Sequence, residues 1–148
     1  MRIISGTYAG RDLMSPGQGR VRPTAEHVRG AILDAVAADL PRAKVLDLFA
    51  GTGALGLEAI SRGAASADFV EFNPSALHAL KANIARLRLV KRTRVFKKDA
   101  LPFAATLTAS RYDVAFVDPP YESRQLDRVI ASWLAVPFAR VLVAEHAR

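Results

Sequence analysis

The segment Asp118-Pro119-Pro120-Tyr121, which directly follows the apolar run 112–117, has the most distinctive chemistry in the chain. Proline has a fixed φ angle and no N–H, so this loop is stiff and offers more hydrogen-bond acceptors than donors. The carboxylate adds acceptors, and the tyrosine adds a flat ring. The combination suits a planar group that carries an NH2, such as the exocyclic amine of a nucleobase. An ordinary strand-ending turn uses the same residue types and is the alternative at this point.

A second candidate site is the glycine-rich segment 47–56, DLFAGTGALG. Gly51, Gly53 and Gly56 follow a G-x-G-x-x-G pattern between a predicted strand and a predicted helix, which by itself is typical of NAD or FAD binding. Asp47, four residues before the first glycine, would lie near the pyrophosphate of a dinucleotide. A carboxylate there is better matched to a cation, such as the α-amino group of S-adenosylmethionine. A turn-stabilising role for Asp47 is the structural alternative.

Three more acids end the predicted strands. Glu71, 18 residues after Gly53, is placed to accept from both hydroxyls of a ribose, although NAD-binding proteins use the same position. Asp99 is placed to accept from an adenine amino group. Because open α/β sheets bind ligands at the carboxyl ends of their strands, Asp47, Glu71, Asp99 and Asp118 predict one shared crevice.

The elements that must position these acids alternate along the chain. Apolar patterning predicts strands at 44–49, 67–71, 94–97, 112–117 and 141–144, separated by helices near 24–39, 54–62, 74–87, 101–108 and 124–134. Thr24 and Asn73 are predicted helix caps. Strands joined by crossover helices predict an α/β fold with a doubly wound, mostly parallel sheet. We expect a single domain over 1–148, with a short N-terminal β-hairpin arm at 1–23 and a core at 24–148.

Composition narrows the chemistry. The chain has 148 residues, 51% of them hydrophobic, and no cysteine, which excludes disulfides, thiolate metal sites and thiol catalysis. Its three histidines are scattered, so no metal site is expected. No apolar run is long enough for a membrane span, and the N-terminus lacks a secretory h-region. These features favour a cytoplasmic protein without a membrane partner.

Basic residues gather in two groups. The formal net charge is +7, and the stretch 81–98 holds eight basic residues and no acid. The N-terminal segment contributes Arg2, Arg11, Arg20, Arg22 and Arg29. Such groups can neutralise phosphates of a nucleic acid. Solvated helix surfaces also carry long basic side chains, so this alternative stays open.

These motifs resemble class I S-adenosylmethionine-dependent methyltransferases that act on exocyclic amines. Met1–Gly6, Gly10-Arg11, Arg22-Pro23-Thr24 and Val28-Arg29, taken with 47–59, resemble the bacterial 16S rRNA guanine-N2 methyltransferase family RsmD over nearly the whole chain. The resemblance implies a Rossmann-like sheet and methylation of one guanine in small-subunit rRNA. Members of that family continue into a closing β-hairpin after the fifth strand. We expect this chain, which ends at Arg148, to lack that hairpin.

With this family's motifs placed on the sequence, Asp118, Pro119 and Tyr121 are the expected catalytic residues. The residues expected at the cofactor are Thr24, Asp47, Phe49, Ala50, Gly51, Gly53, Glu71, Phe72, Asn73, Asp99, Ala100 and Asp118. Those expected at RNA are Arg2, Arg11, Arg20, Arg22, Arg29, Lys91 and Arg92. The expected protein is a monomer that acts on 16S rRNA or the assembling small subunit. The alternatives are methylation of adenine N6 or a glutamine amide, a non-catalytic RNA-binding protein, and an NAD-dependent reductase.

Overall fold

A computed structural model describes residues 1–15, 23–119 and 124–144, with the side chains of 23–25 left out. Two short 3-10 helices, Ala37–Asp39 and Val90–Arg92, accompany the regular elements. Those elements are α1 (Pro23–Ala35), β1 (Lys44–Leu48), α2 (Ala54–Ser61), β2 (Ser66–Glu71), α3 (Pro74–Arg86), β3 (Thr93–Lys97), α4 (Ala100–Ala105), β4 (Tyr112–Val117), α5 (Gln125–Ala135) and β5 (Ala139–Ala144).

The five strands form one sheet in the order β3-β2-β1-β4-β5. All four pairings between neighbouring strands are parallel. The carboxyl ends of the strands therefore meet at one edge, and the order reverses between β1 and β4, where such sheets bind ligands. The predicted doubly wound α/β fold is confirmed.

Side chains alternate between two apolar layers, one on each face of the sheet. Phe69 and Phe116 belong to one layer, whereas Val70 and Ala115, their neighbours in sequence, belong to the other. Successive strand residues point to opposite faces, so a strand covered on both sides must be apolar throughout. This requirement explains the nearly continuous apolar runs that identified the strands.

Two predicted boundaries are corrected by local backbone geometry. The first helix begins at Pro23, so Thr24 lies in its first turn and is not the cap. Proline favours the first helical position because its missing N–H has no intrahelical partner there. β1 ends at Leu48 because Phe49 has a φ of 56°. Asn73 does cap α3, as predicted, and its side chain accepts from the Ala76 N–H at 3.1 Å.

The described part of the N-terminal arm is a narrow antiparallel pairing around the bridge between Arg2 and Asp12. The Ile3 N–H donates to the Arg11 carbonyl at 2.9 Å, and the Gly10 N–H donates to the Ile3 carbonyl at 2.8 Å. The Ile3 side chain is buried in the same apolar layer as Phe69. The arm is thus packed into the core, while the predicted arm residues 16–22 lie outside the described residues.

Glu58 of α2 holds this arm against the core. Its carboxylate is fully buried and accepts from the backbone N–H groups of Ile4 and Ser5, at 2.8 and 3.0 Å. The Arg62 Nε donates to it at 3.1 Å, and the Arg29 Nε lies 3.6 Å away. The sequence analysis missed this residue, whose only signal is an acid within the apolar run 57–60.

Candidate active site

Three of the four predicted acids come together at the carboxyl edge of the sheet. Asp47 lies near the end of the central strand β1, Glu71 ends β2 on one side, and Asp118 follows β4 on the other. Burial raises the pKa of Asp47, and the nearby negative charges of Asp118 and Glu71 raise it further. Asp99 lies further along the same edge, where its exposed side chain caps α4 with a bond of 3.4 Å from the Leu101 N–H.

Asp47 is a buried carboxylate, with 1% of its surface exposed. Its Oδ2 accepts from the Gly56 N–H in the first turn of α2 at 3.0 Å, so it does stabilise the loop. Among the described residues, no basic side chain pairs with this carboxylate. Burial raises its pKa well above the ordinary value, against the opposing effect of the Gly56 hydrogen bond. A buried anion without a cation is costly, so the residue fits a positively charged ligand group.

The glycine loop has three residues with left-handed backbone: Phe49, Gly51 and Gly53, with φ angles of 56°, 58° and 83°. A Cβ on Gly53 would lie 2.4 Å from Leu80 Cδ1, and one on Gly56 would lie 2.5 Å from Phe69 Cε1. These two glycines are therefore required where α2 packs on its neighbours. At Gly51 a Cβ would meet no atom within 4 Å, so among the three loop glycines this position faces open space.

Glu71 serves the protein backbone as well as any ligand. Its carboxylate accepts from the N–H groups of Gly51, Phe72 and Asn73, at 2.7, 3.0 and 2.9 Å. A carboxylate offers about four lone-pair positions, so about one remains for a ligand hydroxyl. A ribose that donates both hydroxyls to Glu71 must therefore displace or share one of the backbone donors.

The remaining residues predicted at the cofactor differ in their exposure. Phe72 is 63% exposed next to Glu71, which leaves its ring available for stacking. Ala50 and Ala100 are buried, and Phe49 is half-buried. The Asn73 side-chain oxygen is already used as the cap of α3. The side chain of Thr24 lies outside the described residues.

The structure describes the first half of the acceptor loop, residues 118–121. Asp118 is exposed and Pro119 is half-buried, directly after Val117, which pairs with Ala144 of β5. This placement puts an acid and a backbone carbonyl at the crevice beside Asp47. Pro120 and Tyr121 lie outside the described residues, so the expected stacking role of Tyr121 stays a prediction.

The predicted RNA-binding arginines of the N-terminal segment separate into two groups. Arg2 and Arg11 are exposed on the arm. Arg29 is 5% exposed, lies against Glu58 and donates to the Arg2 carbonyl. The prediction that Arg29 contacts an RNA phosphate is therefore wrong, because its guanidinium is inside the protein and holds the arm. Arg20 and Arg22 lie outside the described residues.

Lys91 and Arg92 precede β3, so they lie at the amino edge of the sheet, opposite the acids. The Arg92 guanidinium donates to the carbonyls of Ala65 and Ala64, at 3.0 and 2.7 Å. The expectation that these two residues hold phosphates flanking the target base does not fit this position. The sequence did not reveal this position, because residues at the two ends of a strand are close along the chain but far apart in space.

The described residues meet neither the requirements of a metal site nor those of a membrane-spanning helix. In 1–15, 23–119 and 124–144, no cluster of three or more histidine, aspartate or glutamate side chains could hold a metal ion. Across the same ranges, no helix is both long and apolar enough to cross a membrane.

Comparison with known proteins places the chain in a family. The family model described as "Conserved hypothetical protein 95" matches residues 1–139. The putative rRNA methyltransferase YlbH of Bacillus subtilis is 33% identical over 153 residues, which cover 100% of this chain and 83% of that protein. The ribosomal RNA small subunit methyltransferase D of Escherichia coli K12 is 37% identical over 140 residues, covering 91% of this chain and 70% of that protein.

A solved structure agrees with both sequence matches. The putative methyltransferase yhhF from Escherichia coli superposes with a TM-score of 0.78 at 37% identity, over 90% of this chain and 72% of that one. The shared architecture is a Rossmann-like methyltransferase fold. The chain therefore belongs to the conserved hypothetical protein 95 family, the RsmD family of small-subunit ribosomal RNA methyltransferases.

Proposed function

We propose that this protein transfers a methyl group from S-adenosylmethionine to the exocyclic N2 amine of a guanine in small-subunit rRNA. The observation that carries the proposal is the buried Asp47, which lacks a cationic partner among the described residues and lies between Glu71 and Asp118 at the carboxyl edge. Relatives named as rRNA methyltransferases, at 33% and 37% identity, support RNA as the substrate.

The cofactor half of the crevice is built from β1 and β2. When bound, S-adenosylmethionine supplies an electrophilic methyl group on a sulfonium. Asp47 pairs with its α-amino group and so compensates the buried negative charge. Glu71 accepts from the ribose. The Phe72 ring stacks on the adenine, and the Asp99 carboxylate accepts from the adenine amino group. Gly51 leaves the space through which the ligand approaches the loop.

The acceptor half belongs to the loop after β4. The lone pair of a guanine N2 is delocalised into the ring, so the amine is a poor nucleophile and must be aimed. The Asp118 carboxylate and the Pro119 carbonyl accept hydrogen bonds from the two N–H groups of the amine. They thereby direct the nitrogen lone pair at the methyl carbon. The N–C bond forms as the C–S bond breaks, and the released proton passes through the exposed Asp118 to solvent. Most of the acceleration comes from proximity and alignment.

The target base must leave its stack, or already lie in a loop, to reach this crevice. Tyr121 then stacks on the flipped base. Arg2 and Arg11, both exposed on the arm, contact phosphates near it.

The test is to incubate the protein with methyl-labelled S-adenosylmethionine and unmodified small-subunit RNA or particles. Digestion to nucleosides followed by mass spectrometry identifies the modified atom. We expect label as N2-methylguanosine. Label at adenine N6 or in a protein glutamine would replace guanine N2 as the target. Cofactor binding without any transfer would favour a non-catalytic RNA-binding protein, and binding of NADH alone would favour a reductase.

A further inference from the structure

The amino edge of the sheet, opposite the acids, carries a basic pocket of about 280 Å³. Five of its lining side chains are basic and come from three separate segments: Lys44, Lys91, Arg92, Arg94 and Arg111. Asp68 of β2 is the acid among the described lining residues. The proposed methyl transfer uses none of these residues.

Asp68 holds Arg94 in place and lies near Arg111. It accepts from Arg94 through Nε and Nη2, at 2.9 and 2.7 Å, and from the Tyr112 hydroxyl at 2.6 Å. The Arg111 Nη2 lies 4.0 Å from the same carboxylate, and its guanidinium lies 4.9 Å from the centre of the Tyr112 ring. Both arginine side chains stay partly exposed, at 57% and 37%. The hydrogen bonds to Asp68 therefore orient the Arg94 guanidinium before any ligand binds, and Arg111 lies beside it.

The other cations of the pocket add positive charge beyond that of Arg94 and Arg111. Lys44 and Lys91 are exposed, and neither side chain forms an ion pair within the described part of the chain. Arg92 is held by the carbonyls of Ala64 and Ala65 through two of its nitrogens. Asp113 also lies at this edge, where it accepts the backbone N–H of Lys44 at 2.8 Å. The positive charge remains in excess.

We infer that this pocket binds backbone phosphates of the RNA substrate at a point remote from the target nucleotide. The inference rests on the proposed function for its partner. Phosphate is the chemistry that planar guanidiniums and exposed ammonium groups recognise. Cations spread over three segments suit successive phosphates along a strand better than a single small anion.

The position of the pocket makes this a second contact. From Thr93 to Lys97, β3 rises about 13 Å, so phosphates next to a base in the crevice do not reach Lys91. An RNA that meets both sites must therefore extend from one edge of the sheet to the other. Such a contact positions the RNA without reading its sequence.

The experiment compares two double variants that remove the same charge. Lys44→Ser with Lys91→Ser alters the pocket, whereas Arg128→Ser with Arg140→Ser alters exposed positions on α5 and β5. Affinity for a small-subunit RNA fragment is measured over a series of KCl concentrations, without methyl transfer. We expect the slope of log K against log salt to shrink by about 2 for the pocket variant. The control variant should keep the wild-type slope, and equal melting temperatures should show that both variants fold.

Hydroxyl-radical footprinting gives an independent readout. The pocket variant should lose protection at nucleotides away from the methylated one and keep it around the target. Pocket and control variants with equal slopes would overturn the inference, while wild-type RNA binding and methylation would keep the proposed function. A second result would also overturn the inference: the wild-type pocket binds inorganic phosphate, but the pocket variant keeps the wild-type affinity for RNA. A wild-type protein with no affinity for RNA would instead refute the proposed function, and the inference with it.

Discussion

The Glu71 carboxylate accepts the backbone N–H of Gly51 across 2.7 Å, so the acid that ends β2 fixes the glycine loop that follows β1. The two features that identified the cofactor site in the sequence are therefore one hydrogen-bonded unit. Without a ligand, Glu71 holds Gly51 at its left-handed φ of 58°. A ligand hydroxyl that donates to the same carboxylate acts on the loop directly.

Glu71→Gln should loosen this loop and weaken cofactor binding. The amide keeps one acceptor oxygen where the carboxylate serves three backbone donors. We expect faster hydrogen exchange at the Gly51 amide and a loss of S-adenosylmethionine affinity of roughly ten- to a hundredfold, the scale of a charge-assisted hydrogen bond. Asp127→Asn on α5 is the matched control. An unchanged Gly51 exchange rate would show that the bond does not hold the loop.

Cofactor affinity should rise with pH through the titration of Asp47. Burial raises the pKa of this carboxyl in the free protein, whereas a bound ammonium group favours the ionised form. Between the ordinary and the raised pKa, the free protein holds a proton that binding must release. Affinity should therefore increase across that window and level off above the raised pKa. Calorimetry in two buffers of different ionisation enthalpy counts the released proton.

The raised pKa of Asp47 affects the stability of the free protein in the opposite direction: stability falls as the pH rises, whereas cofactor affinity increases. A carboxyl with a raised folded-state pKa contributes stability that is complete below its unfolded pKa and is lost as the pH rises through the raised value. Asp47→Asn keeps an oxygen for the Gly56 N–H and removes both pH dependences. If the Asp47→Asn variant still bound the cofactor more tightly at higher pH, the effect would belong to another group.

Asp118→Ala should abolish transfer while leaving cofactor affinity largely intact. The side chain follows β4 on the acceptor side, and its loss removes the group that orients the amine. We expect the single-turnover rate to fall by roughly a hundredfold or more. Binding of S-adenosylhomocysteine, measured by calorimetry, is the control. Normal turnover in this variant would refute the assigned role.

Glu58→Gln should destabilise the protein by about 3–5 kcal/mol, since it leaves the buried Arg29 without its counter-charge. The amide would also present N–H groups to the Ile4 or Ser5 donors. Asp34→Asn is the comparison, because Asp34 pairs with Arg62 at the surface with 75% of its side chain exposed. Such exposed pairs contribute about 0–1 kcal/mol. Urea unfolding of both variants measures the difference, and equal stabilities would contradict the role of Glu58.

Local patterns in the sequence determined the alternation of strands and helices, the parallel sheet and the edge at which the acids lie. Apolar runs, the Asn73 cap and the G-x-G-x-x-G spacing are short-range signals, and the direction of a parallel sheet follows from its crossovers. The positions of Asp47, Glu71 and Asp118 at strand ends could therefore be predicted from sequence.

Only the tertiary structure decided which charged side chains are free to act. Arg29 and Arg11 are the same residue type on one N-terminal segment, yet Arg29 is buried against Glu58, 29 residues further along the chain, and Arg11 is exposed. Lys91 and Asp99 are eight residues apart but lie at opposite edges of the sheet. Burial and the pairing of charges depend on contacts between distant segments, and no local pattern encodes them.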